Sequence, residues 1–249
     1  MKDNEQAIYD TLSRALLAGM LTPGAPLREP ALAKVFGISR ERIRKILQRL
    51  GTNRLIELVP NRGAFVASPA QEQAHGIYEA RRILEGGIVG HLAASPGADT
   101  DTVERLREHM DRESAALKSG DRAESVRLSM QFHMILAEAT GNFFIVRQVQ
   151  ELVSRTSMLV AVYEAANASQ CACEEHRDIF TALVGGDGAG AARAMRAHLS
   201  LIETRLRPGV MAPARDAVEL LAQLWTASSH AAHTGTPDAR HANSVGRGA

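Results

Sequence analysis

Apolar positions along the chain fall first on a helical rhythm, then briefly on a strand rhythm, and then on helical rhythms again. From about residue 4 to 19, Ile8, Leu12, Ala15 and Leu16 recur at spacings that put them on one helix face. Two glycines and two prolines in "GMLTPGAPL" end that rhythm. "EPALAKVFG" predicts a short second helix, with Pro30 tolerated in its first turn and Gly37 closing it. Ser39 is a good N-cap for "RERIRKILQRL", whose inward stripe is Ile43, Ile46, Leu47 and Leu50. "LIELV" and "GAFVA" then read as short β-runs joined by "PNR" and Gly63, a hairpin signal. Three helices followed by a hairpin predict a winged helix-turn-helix.

Beyond this unit, "SPAQEQ" at 68–73 is short and polar, a linker. Six helices are predicted at about 72–95, 99–119, 121–140, 143–166, 169–184 and 187–206, with Asp99, Asp121 and Asp187 as N-caps. With no β-rich stretch or tandem repeat among them, the economical arrangement is an antiparallel helical bundle. The expected fold is mainly α. It comprises a winged helix over 1–68, a linker over 69–74 and a bundle over 75–208, with one extra helix and a polar tail over 209–249. The extra helix is expected in "APARDAVELLAQLW"; the tail from Trp225 onward lacks periodicity and reads as disordered. His230, His233 and His241 in that tail are assigned no role.

Composition narrows the class. Aromatics make up only 4% of the chain while alanine and leucine abound, which favours helices. No apolar run approaches 18 residues, so no membrane span is expected. "MKDNEQAIYD" lacks the basic end and apolar stretch of a signal peptide, and there are only two cysteines, so a cytoplasmic setting is expected. Cys171 and Cys173, separated by one residue, match neither a zinc knuckle nor a redox pair and read as ordinary thiols.

Net charge is only +1, but it is unevenly spread. Residues 1–68 hold eleven Lys/Arg against six Asp/Glu, an excess of five, which leaves −4 for the rest. A basic module on a mildly acidic one suggests a polyanionic partner. Arg40, Arg42, Arg44, Lys45 and Arg49 lie mostly off the apolar stripe of the third helix. A helix fits the major groove of DNA, its N-terminal residues reach base edges, and arginine pairs bidentately with guanine. The bland alternative is a solvated charged helix, but cap, turn, basic helix and hairpin occur in the order DNA binding requires.

"LTPGAPLREPALAKVFGISRERIRKILQRL…LIELVPNRGAFV" resembles the winged helix of GntR-type bacterial transcriptional regulators. The resemblance implies DNA contacts from Ser39, Arg40 and Arg44, with Arg42 also facing DNA and Gly63 at the wing tip entering the minor groove. Arg49 and Arg62 join the expected DNA-binding set as flanking cations. The chain departs from the family at Pro30, where relatives often carry a DNA-contacting arginine, and at Lys45, where an acid is usual.

Three histidines sit amid apolar neighbours on three predicted bundle helices: His133 in "RLSMQFHMILAEATGN", His176 in "EEHRDIFTALV" and His198 in "ARAMRAHLSLIE". Bundle interiors are where facing helices fix metal ligands, and neutral imidazole binds Zn, Ni, Cu or Fe. Spacing alone leaves open whether these are a metal site or three ordinary core histidines. The stretch from "YEARRILEG" to "AMRAHL" is similar to the FCD effector domain of the FadR subfamily. That resemblance implies a divalent metal, Zn or Ni foremost, held by His133, His176 and His198, with Ser129 standing where relatives place an aspartate. Arg81 matches an arginine beside the ligand pocket, where guanidinium suits a carboxylate effector; its alternative is a surface pair with Glu85 at i+4. Arg82 is the substitute if the helix phase differs, and Asn142 reads as a helix cap.

Together these features predict a ligand-responsive, homodimeric DNA-binding regulator, of repressor type by resemblance, that recognises operator DNA and a small organic acid and is not an enzyme. Two other readings stay open: a metal-dependent enzyme built on the three histidines, and a constitutive architectural DNA-binding protein.

Overall fold

The computed structural model describes residues 2–94, 100–164, 170–207 and 216–233. Helix α1 (Lys2–Leu17) is followed by strand β1 (Pro26–Leu27), α2 (Glu29–Phe36) and α3 (Arg40–Thr52). Strands β2 (Ile56–Val59) and β3 (Gly63–Val66) complete the winged helix. Strand β1 was not foreseen; it pairs antiparallel with β3, giving a three-stranded sheet in the order β1-β3-β2. Two residues are too few to show a period of two, so only the pairing partner reveals the strand.

The local signals act as their chemistry suggests. Gly37 ends α2 in the left-handed region at φ 65°, its N–H bonded to the Ala33 carbonyl. The Ser39 hydroxyl accepts the Arg42 N–H at 3.4 Å and caps α3. Ile43, Ile46, Leu47 and Leu50 are all buried, joining Ile8, Leu12, Leu16 and Leu32 in one apolar cluster.

A short 3-10 turn at Gln71–Gln73 leads into the bundle. Its helices are α4 (Ala74–Ala94), α5 (Thr100–Ser119), α6 (Arg122–Ala139), α7 (Phe143–Tyr163), α8 (Gln170–Val184) and α9 (Gly188–Arg205). Asp121, Asn142 and Asp187 cap α6, α7 and α9 through side-chain oxygens. The expected cap Asp99 lies outside the described residues. The second core cluster is built from α4 to α9, with Tyr78, Phe132, Ile179 and Leu199 fully buried. Among the described residues no helix is long and apolar enough to cross a membrane.

The two units touch. Helix α1 packs on α6 and α7, where Arg14 pairs with Asp121 at 2.7 Å and Arg54 with Glu151 at 3.0 Å. Gly19, at φ +68°, abuts the Ala161 backbone carbonyl of α7 so closely that a Cβ would collide with it. The extra helix, α10 (Ala217–His233), packs against α2, α1 and β1. It continues past Trp225 into residues expected to be tail, because alanines and serines of "TASSHAAH" permit helix even without an apolar stripe.

Candidate DNA-reading face and histidine centre

The buried stripe of α3 points toward α1 and α2, which decides what its arginines can do. Arg40 and Arg44 are exposed. Arg44 forms a two-pronged pair with Glu29, Nε and Nη2 donating at 2.9 and 2.8 Å, and this holds the Glu29 carboxyl below its usual range. Arg42 turns toward α1, its Nε donating to Glu5 at 2.5 Å. Arg49 also meets α1, lying 4.2 Å over the Tyr9 ring and donating to Gln6 at 3.0 Å. These two are seven positions apart and share a flank. At the wing, Arg62 lies over the Phe65 ring, between the left-handed Asn61 and Gly63, which takes φ +100°. Ser39 spends its hydroxyl on capping. The wing tip and the N-terminal half of α3 therefore leave Arg40, Arg44 and Arg62 exposed to solvent.

Inside the bundle, His133 from α6, His176 from α8 and His198 from α9 come together, each 3% exposed or less. His198 Nε2 lies 3.2 Å from His176 Nε2 and 3.4 Å from His133 Nε2. Each Nδ1 faces a carboxylate from another element. His133 Nδ1 is 2.6 Å from Glu85 of α4, His176 Nδ1 is 2.9 Å from Glu113 of α5, and His198 Nδ1 is 2.7 Å from Glu175 of α8. A stacked Phe132 ring, 3.9 Å from His176, fixes that imidazole's plane.

This arrangement sets the tautomers. Burial lowers the pKa of His133 to about 4 against the pull of Glu85, and burial likewise puts His198 well below its usual range, so both rings are neutral. Burial would raise Glu85 and Glu113, but Arg81 with His133, and His176 with His109, outweigh it and hold both carboxyls at about 2. The charged Glu85 and Glu113 carboxylates favour Nδ1–H on His133 and His176, which turns the Nε2 atoms of both toward His198 Nε2. Three Nε2 atoms so close together are a group that could hold a cation.

The spacing fits one. Nitrogens bound at about 2.1 Å to a single ion lie about 3.0 Å apart at a right angle and about 3.4 Å apart at the tetrahedral angle. The observed 3.2 and 3.4 Å span that window. Carboxylates behind the imidazoles are the usual support of a histidine metal site.

A cavity of ≈ 60 Å³ adjoins this centre, lined among others by Arg81, Ser129, His133, Thr156, Ser157 and Glu164. Ser129 thus sits beside the histidines, as its i−4 spacing from His133 requires, and brings a neutral hydroxyl instead of a carboxylate. Arg81 does pair with Glu85, but both side chains are under 5% exposed, so this is a buried pair and not a surface one. Its Nε donates to Glu85 at 2.5 Å and its Nη1 to Thr156 at 2.8 Å. Arg82 points elsewhere, to Glu203 at 2.5 Å. Burial raises the pKa of Glu164, the remaining acid at the far wall.

Sequence reasoning did not find Glu113, which is 63 positions from the histidine it supports. Glu175 is next to His176 in sequence, yet its side chain serves His198 on the next helix. Adjacent helix residues diverge by about 100°, so a carboxylate next to a histidine is free to serve a different one.

A basic winged helix seated on a helical bundle with a polar, enclosed centre defines a DNA-binding regulator with a ligand-accepting domain. Residues 4–66 match the family of bacterial regulatory proteins described as the gntR family, and residues 76–201 match the FCD domain. The chain belongs to the GntR family and carries an FCD domain. It is 30% identical over 205 residues to an uncharacterized HTH-type transcriptional regulator in an unstable DNA locus of Streptomyces ambofaciens, covering 81% of this chain and 84% of that one. It is 26% identical over 205 residues to the HTH-type transcriptional repressor RspR of Escherichia coli K12, covering 81% and 88%. A solved GntR regulator from Rhodococcus sp. RHA1 shares the fold, with a TM-score of 0.67 and 23% identity over 81% of this chain and 96% of that one. The protein is therefore a transcriptional regulator that binds DNA through its winged helix and accepts a small-molecule effector in its FCD domain.

Proposed function

We propose that this regulator is a repressor that acts as a homodimer and senses a small carboxylate through a divalent ion held by His133, His176 and His198. The observation that carries the reading is the convergence of three imidazole Nε2 atoms, each ring with a carboxylate close to its Nδ1. When bound, the ion supplies a Lewis-acidic position for a carboxylate oxygen. Ser129, Thr156 and Ser157 line the adjoining space and offer hydroxyls to the rest of the effector. Arg81 lines the same space, its donors largely occupied by Glu85 and Thr156. Zn or Ni suits three imidazoles, and the serine at 129 leaves further positions to water or effector.

On DNA, Arg40 and Arg44 are the base readers. The Arg44–Glu29 pair is solvent-exposed on the arginine side, so screening by water leaves it weaker than the ~1–3 kcal/mol of a bidentate guanine contact. Arg42 and Arg49 hold α3 against α1, and Arg62 and Gly63 place the wing. Two such heads in a dimer read two half-sites. Effector control requires different affinities for two placements of those heads.

The test is operator binding by fluorescence anisotropy, with zinc or nickel and a panel of small carboxylates, alongside calorimetric metal titration. Tight binding of one ion per chain and a carboxylate-dependent change in operator affinity support the reading. Absence of ion binding in the intact chain, or indifference of operator affinity to every ion and acid tried, refutes it.

A further inference from the structure

Helix α10 follows the last bundle helix in sequence, yet its apolar face belongs to the winged-helix core. Ala217, Leu220 and Leu221 are buried in the same cluster as Leu32 and Phe36, and Leu224 and Trp225 pack against that cluster. These five positions are spaced i, i+3, i+4, i+7 and i+8, one continuous helical stripe. Trp225 meets Phe36 of α2 edge-to-face at 5.2 Å, a favoured aromatic geometry. Asp216 opens the helix, its Oδ1 accepting the Val218 and Glu219 N–H groups at 2.8 and 3.1 Å. The winged helix is thus gripped from two sides. Helices α6 and α7 hold α1, while α10 covers α2, α1 and β1.

We propose that α10 is a strap that fixes the winged helix on its own bundle, so that operator affinity follows the state of the bundle only while the strap is seated. The second half rests on the ligand-responsive reading above. Physically, a ligand buried among α4 to α9 can bias a reading head only if the head is rigidly placed against those helices. The contacts through α1 resist motion on one flank only. A seated α10, joined through the chain to α9, tethers the other flank, so that a displacement of the bundle helices is passed on to α3.

Trp225 is the single tryptophan of the chain, so its emission reports seating directly. In the full-length chain, Leu221→Ser should red-shift that emission and increase acrylamide quenching. Cleavage by a glutamate-specific protease after the exposed Glu72 should become on the order of tenfold faster, because local opening of the linker governs it. Trp225→Ala, a milder change, provides the same protease readout without a polar group in the core. In both variants zinc affinity should stay within about twofold of wild type, since the histidines belong to the other cluster, while the zinc- and carboxylate-dependent change in operator affinity disappears. Unaltered quenching in Leu221→Ser together with unaltered cleavage in both variants would show that α10 is not the strap. An undiminished ligand-dependent change in operator affinity from a variant shown to be unseated would overturn its coupling role. A wild-type chain that binds zinc without any change in operator affinity refutes both the ligand reading and the coupling half, and the protease data still decide whether α10 holds the head in place.

Discussion

Glu85→Gln removes the charge on which two buried cations or donors converge, and its cost can be worked from the contacts. Glu85 is 2% exposed, with Oε1 2.5 Å from Arg81 Nε and Oε2 2.6 Å from His133 Nδ1. Glutamine keeps the volume but replaces one acceptor oxygen with a donor, which must face either the guanidinium or the imidazole N–H. It also leaves Arg81 without its counter-charge. Removing one member of a buried ion pair costs about 3–5 kcal/mol. Arg81 retains the Thr156 hydroxyl, so the lower end, about 3 kcal/mol, is expected. For a chain of this size that corresponds to a fall of about 6–12 °C in the melting temperature. Scanning calorimetry in the presence of a chelator measures this without any contribution from a bound ion. Zinc affinity, measured separately by titration, should fall about 10–100-fold, because His133 loses the carboxylate charge 2.6 Å from its Nδ1. A variant that melts within about 2 °C of wild type in chelator would refute the buried-pair argument. Unchanged zinc affinity would refute the supporting role of Glu85 behind His133.

Arg44→Ala should cost ~1–3 kcal/mol of operator binding and relax preference at one base position, visible by anisotropy across mutated operators; equal losses on all sequences would make it a phosphate contact instead. Ser129→Asp should tighten zinc binding by adding a carboxylate one turn from His133, and calorimetry showing no gain would place residue 129 outside the ion's reach. Zinc at about 100 times its dissociation constant should stabilise the folded chain by ~2.7 kcal/mol, and a thermal scan that does not respond to zinc argues against a native-state site. Gly19→Ala should destabilise the chain by at least about 1–2 kcal/mol from backbone conformation alone. The collision with the Ala161 carbonyl adds to this, and a wild-type melting temperature would mean the winged helix does not sit there on α7.

Much of the architecture was legible because it is written in local signals. The Gly37 stop, the Ser39 cap, the Asp121, Asn142 and Asp187 caps and the apolar stripe of α3 all act over one or two helical turns. Strand β1 and the extension of α10 were not legible. The first needs β3 as a partner, and the second has no apolar stripe beyond Trp225 to reveal it. The histidine centre was half legible. His133, His176 and His198 stood out as polar residues in apolar surroundings, and the resemblance to a known effector domain grouped them.

By itself, then, the sequence determined which segments are helical, where they stop, which face of α3 is basic, and which three imidazoles are candidates for one centre. Those are properties of neighbours along the chain, within reach of periodicity and capping. Only the tertiary structure decided that Arg42 and Arg49 turn back onto α1 while Arg40 and Arg44 face outward. It alone matched Glu85, Glu113 and Glu175 to their histidines. It also decided that α10 returns to the winged helix. The reason is physical: a hydrogen bond or a buried pair depends on separation in space, and crossing helices bring together residues dozens of positions apart that no periodicity links.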